Sequence, residues 1–218
     1  MEIINFAEQR SLVGRFMMEL RSVDIQHDKM RFRRNLERIG EVMAYEISKR
    51  MAYIAVETST PLGTVQSEVP AQQPVLATIL RAGIPFHQGF LNYFDDAQNA
   101  FVSAYRKYKP GSDVFDIHIE YIASPRITGK TLIIADPMLA TGSSMELAYQ
   151  ALLTKGKPAH VHIAAAIASQ QAIDFVQRHF PDETTTVWVG AIDPSLNHHS
   201  YIVPGLGDAG DLAYGDKE

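Results

Sequence analysis

The segment best equipped for chemistry is Thr131-Leu132-Ile133-Ile134-Ala135-Asp136-Pro137-Met138-Leu139-Ala140-Thr141-Gly142-Ser143-Ser144-Met145. An apolar run ends in an acid, a short loop follows, and Thr-Gly-Ser-Ser opens a helical stretch. That order of residues suits a phosphate. The first turn of a helix leaves N–H groups unpaired and carries the positive end of the helix dipole. Thr141, Ser143 and Ser144 add hydroxyls, and Gly142 lets the backbone curl round an anion. The same residues also describe an ordinary N-cap at Ser143, with Asp136 a hydrogen-bonded strand end.

Other candidates fall away on spacing. Thr128-Gly129-Lys130-Thr131 imitates the end of a P-loop, but Ser124 stands where the first glycine belongs and a strand follows instead of a helix. Gly205-Leu206-Gly207-Asp208-Ala209-Gly210 fits G-x-G-x-x-G, yet that fingerprint must open a βαβ unit of about 30 residues. Only eight residues follow Gly210. The glycines still imply close backbone approach or positive φ. His160 and His162 alternate on a strand without a third ligand, and His198-His199 lies in a loop, so all eight histidines are read as structural or surface residues.

The elements that must carry these residues follow from hydrophobic period. Residues 28–56 read as helix, with Phe32, Leu36, Ile39, Met43 and Ile47 forming one apolar stripe. Residues 57–73, with Pro61, Gly63 and Pro70, read as a hairpin or loop. Thereafter short apolar runs at 74–80, 99–105, 131–135, 161–168 and 186–191 alternate with helical stretches at 84–94, 143–155 and 170–180. Gly156 is placed as the C′ residue of the helix before it. Continuous apolar runs suit strands covered on both faces, and alternating βα units imply parallel pairing with right-handed crossovers. The expected fold is α/β, a mostly parallel twisted sheet flanked by helices. Residues 1–73 would form an N-terminal helical arm and hairpin, 74–200 the core and 201–218 a loop-rich flap, all in one domain over 1–218.

Composition agrees. The 218 residues carry 20 Lys+Arg against 25 Asp+Glu, a formal charge of −5, with 46% hydrophobic and 21% charged residues. These values exclude global disorder, and the absence of a basic run argues against nucleic-acid partners. With no cysteine there are no disulfides, thiolate metal sites or cysteine nucleophiles. No stretch approaches about 18 apolar residues, and the N-terminus is mixed and acidic, so no membrane partner or secretory signal is expected. The expected location is cytoplasmic.

Asp136-Pro137-Met138-Leu139-Ala140-Thr141-Gly142 resembles the ribose-phosphate loop of type I phosphoribosyltransferases, in the version of the uracil phosphoribosyltransferases, where Pro137 replaces the second acid of most relatives. Ile79-Leu80-Arg81-Ala82-Gly83, Tyr105-Arg106 and Tyr201-Ile202-Val203-Pro204-Gly205-Leu206-Gly207-Asp208-Ala209-Gly210-Asp211 agree in the same order. The likeness runs over about 74–215 and is looser over 28–63. Two departures stand out: Ser143 replaces a second glycine, and Leu212-Ala213 replaces a basic residue.

The resemblance implies that phosphoribosyl is transferred from phosphoribosyl diphosphate to uracil, giving UMP and diphosphate in pyrimidine salvage. On that basis Asp136 lies along the ribose, while Pro137, Met138 and Leu139 with Ala140, Thr141, Gly142, Ser143 and Ser144 form the 5′-phosphate loop. Arg81 and Arg106 hold the diphosphate, and Asp208 sits at the ribose-diphosphate end. Arg106 is also readable as part of an exposed polar run, Arg106-Lys107-Tyr108-Lys109. Ile202, Gly207, Asp208 and Ala209 offer backbone to the edge of uracil, whereas Tyr201 either covers the ring or packs in the core, the second being the commoner role of such a residue. Mg²⁺ is the implied metal, carried mainly by the diphosphate and water with no direct protein ligand assigned. A homodimer or higher homo-oligomer is implied, and GTP is an effector of some members. A pyrimidine-sensing RNA binder would need a basic face that this chain lacks. A silent homologue would not need Asp136, Arg81 and Asp208.

Overall fold

The computed structural model describes residues 1–108 and 115–216, with the side chains of 104–119 outside that description. In chain order it forms β1 (Glu2–Asn5), α1 (Leu12–Arg21), α2 (Lys29–Ser48), β2 (Tyr53–Thr60), β3 (Gly63–Pro70), β4 (Val75–Leu80) and α3 (Gly83–Leu91). There follow β5 (Gln98–Tyr108), β6 (Phe115–Ala123), β7 (Thr131–Ala135), β8 (Met138–Leu139), α4 (Ser143–Leu153), β9 (His160–Ser169) and α5 (Gln170–His179). The chain closes with β10 (Thr185–Asp193), β11 (Ser195–Leu196), β12 (Ile202–Val203) and α6 (Ala209–Tyr214).

The main sheet runs β1-β10-β9-β7-β4-β5-β6, with β8 added beside β9. Every pair is parallel except β5–β6. The strands bury both faces, as their uninterrupted apolar runs require. Leu76, Ile133 and Ala164 face a cluster with α1, α2 and α3, including Leu20, Leu36, Met43, Phe86 and Phe90. Val75, Ala77, Leu132 and Ile134 face the opposite cluster, which holds Met145, Leu152, Ile173 and Val176 from α4 and α5.

Chain order fixes where a ligand belongs. From β4 the chain moves outward through β5 and β6, then returns to β7 on the other side of β4. This reversal opens a crevice at the carboxyl ends of β4 and β7, the usual ligand position in such sheets. Arg81 follows β4 directly and Asp136 follows β7 directly.

Three expectations are corrected. The helix that begins after Asp28 stops at Ser48 instead of reaching 56: Arg50 N–H turns back to Ile47 O and Met51 N–H to Ser48 O, a tightened last turn that leaves Met51 against the core. Tyr53–Val56 pairs with 67–70 in a two-stranded sheet instead. Residues 2–5, placed in a helical arm, form a strand parallel to β10. Phe115–Ala123 had no assignment and is the antiparallel edge partner of β5. Gly156 is also displaced: α4 ends at Leu153 with Thr154 as its cap, so the glycine comes two residues after the cap, at φ +125°.

At the end of the sheet away from the crevice, the Trp188 indole N–H donates to His162 Nδ1 at 3.0 Å, and the His160 ring lies tilted beside that of His162 with centroids 4.6 Å apart. Burial first, then the nearby His160, whose ring is tilted 51° to that of His162, and Arg50, push His162 down to about 3. The unfolded chain therefore takes up a proton near 6.5 that the native state refuses until about 3, so native stability falls as pH drops through that window. The slope contributed is up to about 1.4 kcal/mol per pH unit. Urea denaturation at pH 7.5 and pH 5 should show a smaller loss in His162→Asn than in the parent chain, and equal losses would remove His162 from the acid response.

Candidate active site

The loop after β7 is built from below. Asp136 N–H donates to Ala164 O at 3.0 Å and Ile167 N–H donates to Pro137 O at 3.0 Å, so the turn is stitched to β9. Ser169, the N-cap of α5, accepts from Ala172 N–H at 3.0 Å and donates its hydroxyl to Ala140 O at 2.5 Å. Gly142 stands at φ +85°, and a Cβ there would lie 2.6 Å from the Phe175 ring, so both conformation and space demand glycine.

The helix cap is Gly142, not Ser143, and no side chain caps the first turn of α4. Instead Thr141 donates its hydroxyl to Ser143 Oγ at 3.3 Å, and Ser143 N–H reaches Thr141 Oγ1 at 3.4 Å. Gly142, having no side chain, replaces the ordinary N-cap expected at Ser143, and apart from the long contact of Ser143 N–H with Thr141 no side chain caps the first turn of α4, which suits an anion cup.

A cleft of about 710 Å³ opens at the crevice, a size typical of small-molecule sites. Its walls bring together Arg81, Asp136, Met138, Leu139, Ala140, Thr141, Gly142, Ser144, Asp208 and Ala209. Pro137 lies buried beneath the loop, and Ser143 is not on the wall. Ile202 is buried in the core, and Gly207 faces a second cavity behind the flap. The Arg106 side chain lies outside the described residues; its backbone pairs with Ile117 in β5–β6. Tyr201, expected in the core, is 38% exposed and lines the cleft. Ser103 and Ser200 line it too; Ser103 sits inside an apolar strand and Ser200 in a polar loop, so neither carried a signal in the sequence.

Burial in the cleft floor pushes the Asp136 carboxyl up to about 7, a rise only partly offset by the Met138 N–H that it accepts at 3.3 Å. The group is still partly open to the cleft. Arg81 donates to Asp211 at 3.0 Å and to Gly215 O at 3.4 Å, and its side chain is 41% exposed. Asp208 Oδ1 caps α6, accepting from Gly210 N–H at 2.8 Å and Asp211 N–H at 3.1 Å. Ala209 N–H rests against Met138 Sδ at 3.3 Å, a soft acceptor that a better one can displace.

The cleft supplies two carboxylates, Asp136 and Asp208, and no group of three or more metal-binding side chains gathers among the described residues. That donor set fits Mg²⁺ arriving on a diphosphate and keeping much of its water.

Comparison with known proteins adds to this geometry. A family model described as uracil phosphoribosyltransferase matches residues 7–216. A Porphyromonas gingivalis protein of that name is 66% identical over 217 residues, covering both chains in full. A Pyrococcus furiosus protein of the same name is 36% identical over 212 residues, covering 96% of this chain and 88% of its own. The solved structure of the AQ2163 protein from Aquifex aeolicus superposes with a TM-score of 0.85 at 29% identity, covering 97% of each chain.

Proposed function

Because the chain belongs to the uracil phosphoribosyltransferase family, we propose that the crevice between β4 and β7 is where this enzyme converts uracil and phosphoribosyl diphosphate into UMP and diphosphate. One observation carries the assignment of the site. The arginine after β4, the acid and uncapped helix start after β7, and the Asp208-Ala209 segment line a single cleft.

The difficult step is breaking the ribose C1–O bond, which leaves positive charge on the sugar and negative charge on diphosphate. Catalysis then means holding opposite charges where these develop. Asp136 accepts from a ribose hydroxyl and, when ionised, faces the forming cation. Arg81 gives up Asp211 and meets the departing diphosphate with a guanidinium that is always charged. The first turn of α4 and the Thr141 and Ser144 hydroxyls hold the 5′-phosphate. Mg²⁺ carried by the diphosphate would neutralise part of the leaving-group charge, with Asp136 and Asp208 the acids nearest to it.

Backbone at Asp208-Ala209, on the cleft wall, meets the alternating edge of uracil, with Ile202, buried in the core, and Gly207, facing the second cavity, supporting that stretch. Cytosine swaps a carbonyl for an amino group, leaving buried partners unpaired, which supports discrimination of about 10⁴-fold. The test is UMP formation from radiolabelled uracil, phosphoribosyl diphosphate and Mg²⁺, with cytosine, hypoxanthine and orotate in parallel and GTP added as effector. Turnover with uracil alone is expected. Turnover with another base would overturn the assignment of 201–211, and no turnover under any condition would overturn the reading as a whole.

The proposal includes a homo-oligomer. The β2–β3 hairpin stands as its own two-stranded sheet, with Leu62 99% exposed and Ile54 and Val65 about half exposed. Such a hairpin is marginal alone in water, and a second copy supplies the missing cover. Sedimentation should give a particle at least twice the 24.3 kDa of one chain; a 24.3 kDa particle would refute this. Among the described residues no helix is long and apolar enough to cross a membrane. A cytoplasmic location belongs to the proposal, since phosphoribosyl diphosphate and UMP are charged molecules that do not cross membranes unaided.

A further inference from the structure

Two charged residues outside the cleft close a ring around the base segment. Arg21 ends α1 and Asp193 ends β10. Their side chains meet in two parallel hydrogen bonds, Arg21 to Asp193 Oδ1 and Oδ2, both at 2.7 Å. The same pair takes both backbone polar groups of Gly205. Gly205 O accepts from Arg21 at 3.1 Å, and Gly205 N–H donates to Asp193 Oδ2 at 2.8 Å. The Asp193 side chain is only 7% exposed and that of Arg21 25%. Burial opposes ionisation of Asp193, but Arg21 and the Gly205 N–H outweigh it and hold the carboxyl below its ordinary value.

Gly205 is a demanding residue to hold. It sits at φ +61°, and a Cβ there would lie 2.0 Å from Ile202 O. It therefore fixes a tight turn three residues after Ile202 and two before Gly207, the two flanks of the backbone assigned to uracil. Neither Arg21 nor Asp193 lines the cleft.

We propose that Arg21 and Asp193 are positioning residues for base recognition, acting through Gly205 to set the register of the 202–209 backbone against the uracil edge. The inference rests on the reading of that segment as the base site. A bidentate guanidinium–carboxylate pair is suited to the task, because it fixes orientation as well as distance. A shift of about 1 Å in a recognition group can cost about 10²-fold in rate. The sheet-borne loops for phosphoribosyl diphosphate do not depend on this ring, and of the 202–209 segment only Asp208 is assigned to that substrate, so the loss should fall mainly on uracil.

The test compares Asp193→Asn, Arg21→Ala and Arg21→Lys with the parent enzyme. Asn keeps the shape but turns an amide N–H₂ or a weaker acceptor toward Arg21; Lys keeps the charge and loses the fork. For Asp193→Asn and Arg21→Ala, the KM for uracil should rise about tenfold or more, while the KM for phosphoribosyl diphosphate stays within about threefold. Arg21→Lys should recover part of the uracil KM. Thermal stabilisation by phosphoribosyl diphosphate with Mg²⁺ should survive in each variant, which reports an intact fold and phosphate site. If Asp193→Asn fails to fold, the contrast between Arg21→Ala and Arg21→Lys decides. A parallel rise in both KM values, a loss confined to kcat, or an unchanged uracil KM would overturn the proposal. Uracil turnover by the parent enzyme separates these outcomes: without it the base-site reading itself fails, and with it only the positioning role is at stake.

Discussion

Replacing Asp136 with Asn should lower kcat by about 10²–10³-fold, the usual cost of removing one electrostatic contact to a transition state, while making the empty protein more stable at pH 8. The two effects share a cause. The native carboxyl titrates near 7 because burial disfavours its charge, whereas the unfolded chain releases that proton near 3.8. A carboxyl raised in the native state adds stability below its unfolded pKa and loses it as pH climbs through the folded value. Between pH 4 and pH 8 that loss amounts to at most about 4 kcal/mol, reduced by the cleft's contact with water. Asn carries no charge and escapes it. Differential scanning calorimetry should therefore show Asp136→Asn melting several degrees above the parent at pH 8 and level with it near pH 4. Near-parental turnover would remove Asp136 from the ribose site, and an unchanged pH 8 melting temperature would reject the burial account. The same titration predicts that kcat/KM for phosphoribosyl diphosphate rises with pH through about 7, since the ionised form is the one that faces the cation.

Replacing Arg81 with Ala should weaken phosphoribosyl diphosphate by about 10–100-fold, as expected for a charge-assisted hydrogen bond to a phosphate oxygen, and alter uracil by under about threefold. The contact with Asp211 and Gly215 O complicates this, because it also steadies α6, which follows the base segment. Asp211→Asn isolates that effect: it loosens the same anchor and leaves the guanidinium in place. The exposed pair is worth less than about 1 kcal/mol, so Asp211→Asn should bind phosphoribosyl diphosphate as well as the parent or slightly better. Initial-rate kinetics with each substrate varied would check both variants. Equal losses for uracil and phosphoribosyl diphosphate in Arg81→Ala would move Arg81 out of the diphosphate site.

The parts of the fold that were legible are those where burial on both faces wrote itself into composition. Val75–Leu80, Thr131–Ala135, His160–Ser169 and Thr185–Asp193 are nearly continuous apolar runs, and each is a strand of the parallel sheet. Asp136 and the Thr141–Ser144 turn were readable because an acid at a strand end followed by Thr-Gly-Ser-Ser is a local pattern, and the loop they form is local as well. The limits are equally physical. Residues 53–56 follow α2 without a proline or glycine to mark the break, yet Tyr53, Ile54 and Val56 are strand-favouring types and pair with 67–70. Four residues at 2–5 are too short to show a period, so their place beside β10 comes from tertiary pairing. Phe115–Ala123 carries a two-residue alternation in its sequence, the period of a strand, and it pairs antiparallel with β5 at the sheet edge. Within the site, Tyr201 shows the cost of reading an aromatic residue as core: the loop turns it onto the cleft wall. Arg21 and Asp193 lie 172 positions apart, and no spacing in one sequence announces such a pair.

The two loops assigned to phosphoribosyl diphosphate spring from adjacent strands. β4 and β7 are in register from Val75–Leu132 to Thr78–Ala135, and the Thr78 hydroxyl is bonded to Ala135 O at 3.0 Å. The segment assigned to the base has a further footing of its own, on α1 and the end of β10. On that assignment the molecule is modular in the engineer's sense: the sugar-phosphate machinery would be part of the chassis, and the nucleobase reader an attachment bolted to it at Gly205. Retargeting to a different heterocycle would accordingly begin by rewriting residues 201–211, leaving the chassis and the two mounting bolts untouched.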